Sequence, residues 1–331
     1  MTLSQNELMI VGKYFENIYD YINLTKCCTT YQQILKLYKT NFIPISTKSE
    51  FELFENLETY NIYTNKDFKT DLKTVSYIST PLSEVEQNKN NNIIYKNAIL
   101  DYKLSLENLI SNTNICSIVD KCFKDYETLQ SIVLPYSITK LGNNCFTGCK
   151  NLTSVDLSLC VELKELPDYC FAECFKLLNI ILPYSITKLC ESCFEGCINL
   201  INVNLHKNII ELGDYCFRYC PNLRNINLDV CENLTELPKL CFAECYELKN
   251  IILPNNVTKL GSNCFNSCTN LSNINLDNII KLSNHCFAGC KNLTNLNIEN
   301  CLKFGKYCFV YCENLQDLEI LNKATIGSKV F

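Results

Sequence analysis

"LQSIVLPYSITKLGNNCFTGCKNL", Leu129 to Leu152, carries three signals in one stretch. Apolar residues alternate through "LQSIVL", which marks a strand with one buried face. "ITKL" is a second, shorter β-like stretch, entered after Pro135 at a place that needs no ladder donor. "NCFTGC" sets two cysteines four apart around a phenylalanine. Near-copies of the whole unit follow along the chain. Their first cysteines, with Cys122, fall at 122, 145, 170, 193, 216, 241, 264, 286 and 308, in steps of 22 to 25 residues. Fixed-period self-similarity of this length signals a solenoid of stacked coils.

A longer period lies over the short one. "CFAECFKLLNIILPYSITKLCESCFEGC" from Cys170 returns 71 residues later as "CFAECYELKNIILPNNVTKLGSNCFNSC", as if three coils had been duplicated. The strand signal repeats as "LTSVDL" from Leu152, "LINVNL" from Leu200, "LRNINL" from Leu223 and "LSNINL" from Leu271. This pattern resembles the BspA-like leucine-rich repeat family, whose unit runs "LxxIxLPxxVTxIGxxAFxxCxxL". The resemblance covers about 115–331, some nine coils and a partial last one. One departure is Cys where the family has Ala before Phe, a swap of one small buried residue for another. The fold it implies is an α+β repeat solenoid, a right-handed coil with a concave parallel β-sheet. A small helical module precedes it.

The 331 residues carry a net charge of −5, which gives nothing for a phosphate backbone to seek, so nucleic acid is not expected as a partner. No stretch approaches the roughly 18 apolar residues of a spanning helix, and the N-terminus lacks the pattern of a secretory signal. The expectation is a cytoplasmic protein with no membrane partner, its 24 cysteines kept as thiols. The cysteine segment reads as one or two helical turns, with both thiols of a pair facing the coil interior. That geometry is poor for a disulfide. Two neighbouring pairs could in principle supply four thiolates to zinc. The end coils weigh against it, since Tyr126 and Val330 take cysteine positions that an apolar column accepts and a tetrathiolate site does not. The cysteines are therefore expected to be a ladder of small hydrophobes, with no metal and no cofactor.

Catalysis finds no support. His206 reads as a surface turn, His285 lies beside Cys286 without converging on it, and no glycine-rich phosphate loop appears. The expectation is a protein that is not an enzyme. What remains is surface. The residues flanking the middle apolar position of each strand face solvent. Down the coils these read Ser131/Val133, Ser154/Asp156, Asn179/Ile181, Asn202/Asn204, Asn225/Asn227, Asn250/Ile252, Asn273/Asn275, Asn295/Asn297 and Asp317/Glu319. The asparagine double column, with Ile181 and Ile252 protruding from it, is the candidate face for a protein partner.

Residues 1–50 differ in kind. Leu8, Val11, Phe15 and Ile18 fall at helical spacing, as do Tyr21, Leu24, Cys28, Tyr31 and Leu35, so Leu3–Leu35 reads as at least two amphipathic helices around a turn at "NIYD". The segment is similar to a degenerate F-box through Glu7-Leu8, Tyr14-Phe15, Asp20, Leu24, Cys28 and Tyr31, with Ser4 in place of a proline. That resemblance implies a Skp1-like adaptor bound by Leu8, Val11, Phe15, Leu24 and Tyr31, and a substrate receptor of a cullin ubiquitin ligase. A helical cap on the solenoid is the alternative. Residues 51–114 read as a transition, with a first strand within Leu53–Tyr63 and a polar loop over 84–95. Three functions are thus expected to compete: a binding scaffold, the ligase receptor, and the surface adhesin that the bacterial family members suggest. "IGSKVF", Ile326–Phe331, repeats the "LGSNCF" of an earlier coil and is expected to fold over the last complete coil, leaving a monomer or a weak end-to-end dimer.

Overall fold

The computed structural model describes residues 10–27, 37–63, 93–95, 98–100, 115–294 and 296–315, with shorter pieces between 35 and 85. Leu8, Tyr31, Asn295, the pair Asp317/Glu319 and the "IGSKVF" segment lie outside the described residues. The chain forms two compact units, one reaching from the N-terminus to Tyr102 and the other built on Ser117–Phe331.

In the first unit, helix α1 spans Ile18–Cys27. Its start is fixed by reciprocal caps: the Tyr19 N–H donates to Asn17 Oδ1, and the Asn17 and Glu16 N–H groups donate to the Asp20 carboxylate. The turn expected at "NIYD" is therefore the cap and first turn of this helix. Ile18 and Tyr21 bury against Tyr38, Ile43, Ile45, Phe54 and Tyr60. The rings of Phe15, Tyr38 and Phe54 meet Tyr21 edge-on. Asn41 and Asn61 exchange side-chain and backbone hydrogen bonds at 2.6–2.8 Å in the buried interior, and so tie together segments 20 residues apart. A capping box, Thr47 with Glu50, opens the short helix α2, Lys48–Phe51.

This unit also holds parallel strands. Thr59–Ile62 pairs with Lys73–Ser76, which pairs with Ile93–Tyr95, and Thr80–Pro81 pairs with Ala98–Leu100. The polar loop expected over 84–95 thus ends in a strand, because Ile93, Ile94 and Tyr95 are β-favouring residues with a partner in register.

The second unit is a solenoid held by three hydrogen-bond ladders. The first joins the strands Ser131–Val133, Ser154–Asp156 and Asn179–Ile181, then Asn202–Val203 with Asn225–Ile226 and Asn250–Ile251 with Asn273–Ile274, all in parallel. The second joins the "ITKL" stretches: Glu165–Leu166, Lys188–Leu189 and Glu211–Leu212 in one sheet, and Glu236–Leu237, Lys259–Leu260, Lys281–Leu282 and Lys303–Phe304 in another. Among the described residues no pairing crosses from Lys140–Leu141 to Glu165–Leu166 or from Glu211–Leu212 to Glu236–Leu237. Both breaks coincide with the two longer coils, where two extra residues ("SLCVEL" and "DVCENL") shift the backbone out of register.

The third ladder replaces the helix expected in the cysteine segment, which consists of tight turns instead. In each coil the residue before either cysteine has a left-handed backbone, as at Asn144 (φ 57°), Gly148 (φ 71°), Tyr215 (φ 60°) and Tyr219 (φ 54°). A helix cannot pass through such residues. The gain is in hydrogen bonding along the solenoid axis. The Asn144, Phe146 and Gly148 N–H groups donate to Asp168, Cys170 and Ala172 of the next coil, while the Thr147 and Cys149 N–H groups close turns within their own coil. Every second N–H thus serves the stack, as in a strand, although the chain is curled.

Inside run the side-chain columns. Nine phenylalanines from Phe123 to Phe309 stack face to face, with ring centroids 5.2–5.8 Å apart and planes within 3–10°. Beside them stand the buried leucines and both cysteine columns.

Candidate binding face

The cysteines from Cys116 to Cys312 are free thiols, and the two columns of the pairs differ chemically. The second thiol of each pair donates to the carbonyl of the phenylalanine one coil earlier. Cys149 reaches Phe123, Cys197 reaches Phe171, Cys220 reaches Phe194 and Cys268 reaches Phe242, at 3.0–3.2 Å. The same carbonyl accepts an N–H within its own coil, as Phe194 does from Cys197 at 3.2 Å, so the thiol satisfies its second lone pair. Burial raises the Cys220 and Cys268 thiols, and Cys197 and Cys245 are pushed up to about 12. A thiol so protonated and so bonded is a structural donor and a poor nucleophile. The ladder reading is thereby refined, since the second cysteine is a hydrophobe with a hydrogen-bonding task.

His206 is the clearest departure from expectation. It is buried, its ring lies 5.0 Å from Tyr184, and its Nε2 sits 2.9 Å from the Pro183 carbonyl, to which it donates. It occupies a turn where other coils place a cysteine: Cys160 donates to Pro135 O at 3.5 Å and Cys231 to His206 O at 3.6 Å. Its place in the turn "LHKNII" reads as surface in the sequence. The backbone carbonyl it satisfies could not be seen.

The outward positions of the first ladder form the broad candidate face. Asn179, Asn202, Asn204, Asn225, Asn227, Asn250, Asn273 and Asn297 are exposed, as are Ile181 and Ile252, while Asn275 is half-buried. Asparagines join in pairs along the first column: Asn225 Nδ2 donates to Asn202 Oδ1 at 3.5 Å, and Asn273 Nδ2 to Asn250 Oδ1 at 2.8 Å. In the second column Asn227 and Asn275 have a different task. Asn227 accepts the Leu205 N–H at 3.1 Å and donates to Leu205 O at 3.2 Å. Asn275 does the same with Leu253 at 2.6 and 3.1 Å. Their amides stand in for the peptide groups that longer strands supply, as where the Leu134 and Leu157 N–H groups reach the Asp156 and Ile181 carbonyls. These two asparagines are architecture before they are surface. A cleft of about 420 Å³ adjoins Ile252 and is walled by Pro254, Asn255, Asn275 and Glu232.

The second ladder presents charge. Lys188 meets Glu211 at 2.8 Å and Lys259 meets Glu236 across neighbouring coils; Lys188, Glu211 and Glu236 line a 550 Å³ groove with Asp168, Glu191 and Asp214. Asp168 and Asp214 accept the Glu191 and Lys239 N–H groups at 3.0 Å, so they are turn-closing residues. In the N-terminal module Phe15 and Leu24 pack against the unit's own core, and of the described adaptor candidates only Val11 is exposed. Among the described residues no helix is long and apolar enough to cross a membrane.

Coils of 22–25 residues, parallel ladders and a stacked interior define a leucine-rich-repeat solenoid. The family model of the BspA type leucine rich repeat region matches in six copies over residues 92–224 and 235–331, and the chain belongs to that family. No curated protein matches the chain. A leucine-rich repeat protein from Eubacterium ventriosum is similar in structure, with 13% identity over 92% of this chain and 88% of that one and a TM-score of 0.51. The T. pallidum leucine rich repeat protein shares 23% identity over 64% of this chain and 88% of that one, at a TM-score of 0.45. One from Bacteroides ovatus shares 21% over 79% and 78%, at 0.46.

Proposed function

We propose that this protein is a non-enzymatic scaffold that holds a protein partner on the outward side chains of its first ladder. The observation that carries the reading is the contrast between two kinds of position. Nearly every inward column is closed by packing or hydrogen bonds, whereas Asn179 and Asn204 have exposed amides that bond to nothing else among the described residues, beside exposed Ile181 and Ile252. Uncharged donors and acceptors at fixed coil spacing, with apolar anchors between them, suit an extended protein surface. The thiols favour a reducing compartment, and a cytoplasmic site of action goes with them. The adaptor reading of the N-terminal module has less behind it, because Phe15 and Leu24 serve the module's own core.

The test is affinity capture from cell extract with the full chain and with Asn202, Asn204 and Asn225 changed to lysine. Asn227 is left intact because it closes the ladder. Capture should vanish while the far-ultraviolet spectrum and melting curve persist. Capture that survives the triple change removes the partner from this face.

A further inference from the structure

The outward side chains of the first ladder are not uniform. Over its first three strands Val133 and Ile181 bring apolar side chains out beside Ser131, Ser154 and Asn179. Val133 is 43% exposed and Ile181 52%, and in the turns that follow the strands Tyr136 (61%), Leu159 (51%) and Tyr184 (72%) occupy the equivalent place in successive coils. Later coils put Lys207, half-buried Val230, Asn255 and Asn278 there. Large apolar side chains exposed together on adjacent coils mark an interaction surface, where the same residues scattered singly would not. Within this patch stands one carboxylate. Asp156 lies in register between Val133 and Ile181 on the three-stranded ladder. Its Oδ1 accepts the Ser158 N–H at 2.8 Å, and no cation pairs with it among the described residues.

That placement constrains what can dock. An apolar group seated on Val133 and Ile181 removes water from Asp156, and a desolvated carboxylate without a counter-ion is strongly unfavourable. The occupant must therefore bring its own positive charge to the centre of its apolar contact. Arginine fits better than lysine. Its planar guanidinium pairs with a carboxylate through two donors, sheds water more readily, and stacks on tyrosine faces such as those of Tyr136 and Tyr184.

Resting on the reading of this ladder as the partner face, we infer that coils 129–190 form its anchor site, and that the site takes a protein segment with an arginine flanked by apolar side chains. The arginine pairs with Asp156, and the flanking residues cover Val133, Ile181 and the Tyr136–Leu159–Tyr184 row.

A phage-displayed library of random 12-residue peptides, panned on the full chain, tests this directly. The expected winners carry arginine between apolar residues. Their binding should fall at least tenfold with Asp156→Asn and vanish with Ile181→Lys, with melting curves unchanged. Asp156→Arg should reject the winners and accept versions in which the arginine is replaced by glutamate. Winners without a cation, winners indifferent to Asp156→Asn, or no enrichment at all would each overturn the inference. If binding responds to the Asn202, Asn204 and Asn225 changes but not to these, the anchor site is wrong and the partner face stands. If it responds to neither set, both fall.

Discussion

Phe217 offers the sharpest test of the stacked interior. Its ring is fully buried and lies 5.4 Å from both Phe194 and Phe242, tilted by 4° and 6°. Replacing it with alanine removes a buried aromatic from a site that cannot collapse, because the coils on either side are spaced by their backbone ladders. Such changes cost roughly 3–5 kcal/mol. Each lost ring contact adds about 0.5–1.5 kcal/mol beyond area, and two are lost, so Phe217→Ala belongs at the upper end, near 5 kcal/mol. Phe217→Leu keeps much of the apolar volume and should cost about 2 kcal/mol, largely the two ring contacts. Urea unfolding followed by circular dichroism at pH 7 measures both; the chain has no tryptophan to report by fluorescence. Coupling separates a stack from a set of independent pockets. Phe217→Ala with Phe242→Ala should show an interaction energy of at least about 0.5 kcal/mol, whereas Phe217→Ala with Phe146→Ala, three coils away, should be additive. Strict additivity for the neighbouring pair, or a single-mutant cost below about 1.5 kcal/mol, refutes the column.

Three further predictions follow from the turns and thiols. Cys220→Ala leaves a Phe194 lone pair unserved and should cost about 0.5–1 kcal/mol more than Cys216→Ala, whose thiol bonds to no carbonyl in this way; equal costs in urea unfolding would return both columns to plain packing. Leu240 holds a left-handed backbone at φ 54°, so Leu240→Gly should raise stability by about 1 kcal/mol in the same assay, and a loss would mean that its side chain packs usefully. Burial raises Cys197 and Cys245 from an ordinary 9.0 to about 12, so their contribution is complete below pH 9 and is lost as pH rises toward 12. Each loses about 1.4 kcal/mol per pH unit in that window, and a pH titration of the melting temperature should fall steeply above 9; a flat curve to pH 11 would contradict their burial.

How much of this was legible from residue order depends on the column. The first ladder was plain in "LQSIVL" and its copies, because a period of two has one structural meaning when a turn follows. The cysteine segment was misread as helix because two cysteines four apart are also helical spacing. A corrective signal was present: Gly148, Gly196 and Gly289 precede the second cysteine, and each has a positive φ that glycine adopts freely. It was masked by Tyr219, Glu244 and Tyr311, which take the same conformation against their preference. The double role of the asparagines was not legible. Asn204 and Asn227 both stand between a β-branched residue and a leucine, and only the ladder shows that Asn227 closes a peptide-like pair with Leu205. Of the parallel strands between Thr59 and Tyr95, Thr59–Ile62 lies within the Leu53–Tyr63 stretch that reads as a strand, whereas Lys73–Ser76 and Ile93–Tyr95 escaped notice because that region lacks the Cys-Phe marker, although the family match reaches back to residue 92.

The stacking itself narrows where specificity can reside. A backbone that repeats every coil demands the same service at the same place each time, and this chain supplies it with short side chains. Cysteine thiols and His206 satisfy carbonyls inside, while Asn151, Asn208, Asn222 and Asn256 donate to carbonyls of the preceding coil at the surface turns. Much of the asparagine abundance is thus architectural, and an asparagine count alone says little about binding. The informative positions are those where the service is not needed. At the third residue of the first-ladder strands, the longer strands close through their own backbone, as the Asp156 and Ile181 carbonyls do. Their side chains are free to vary, and they do: Val133, Asp156 and Ile181 stand where Asn227 and Asn275 must be amides. A substitution at Asn227 should therefore register first as lost stability, about 1–2 kcal/mol for alanine, and one at Asp156 as lost recognition. The two readouts divide the same exposed face into a structural part and a binding part.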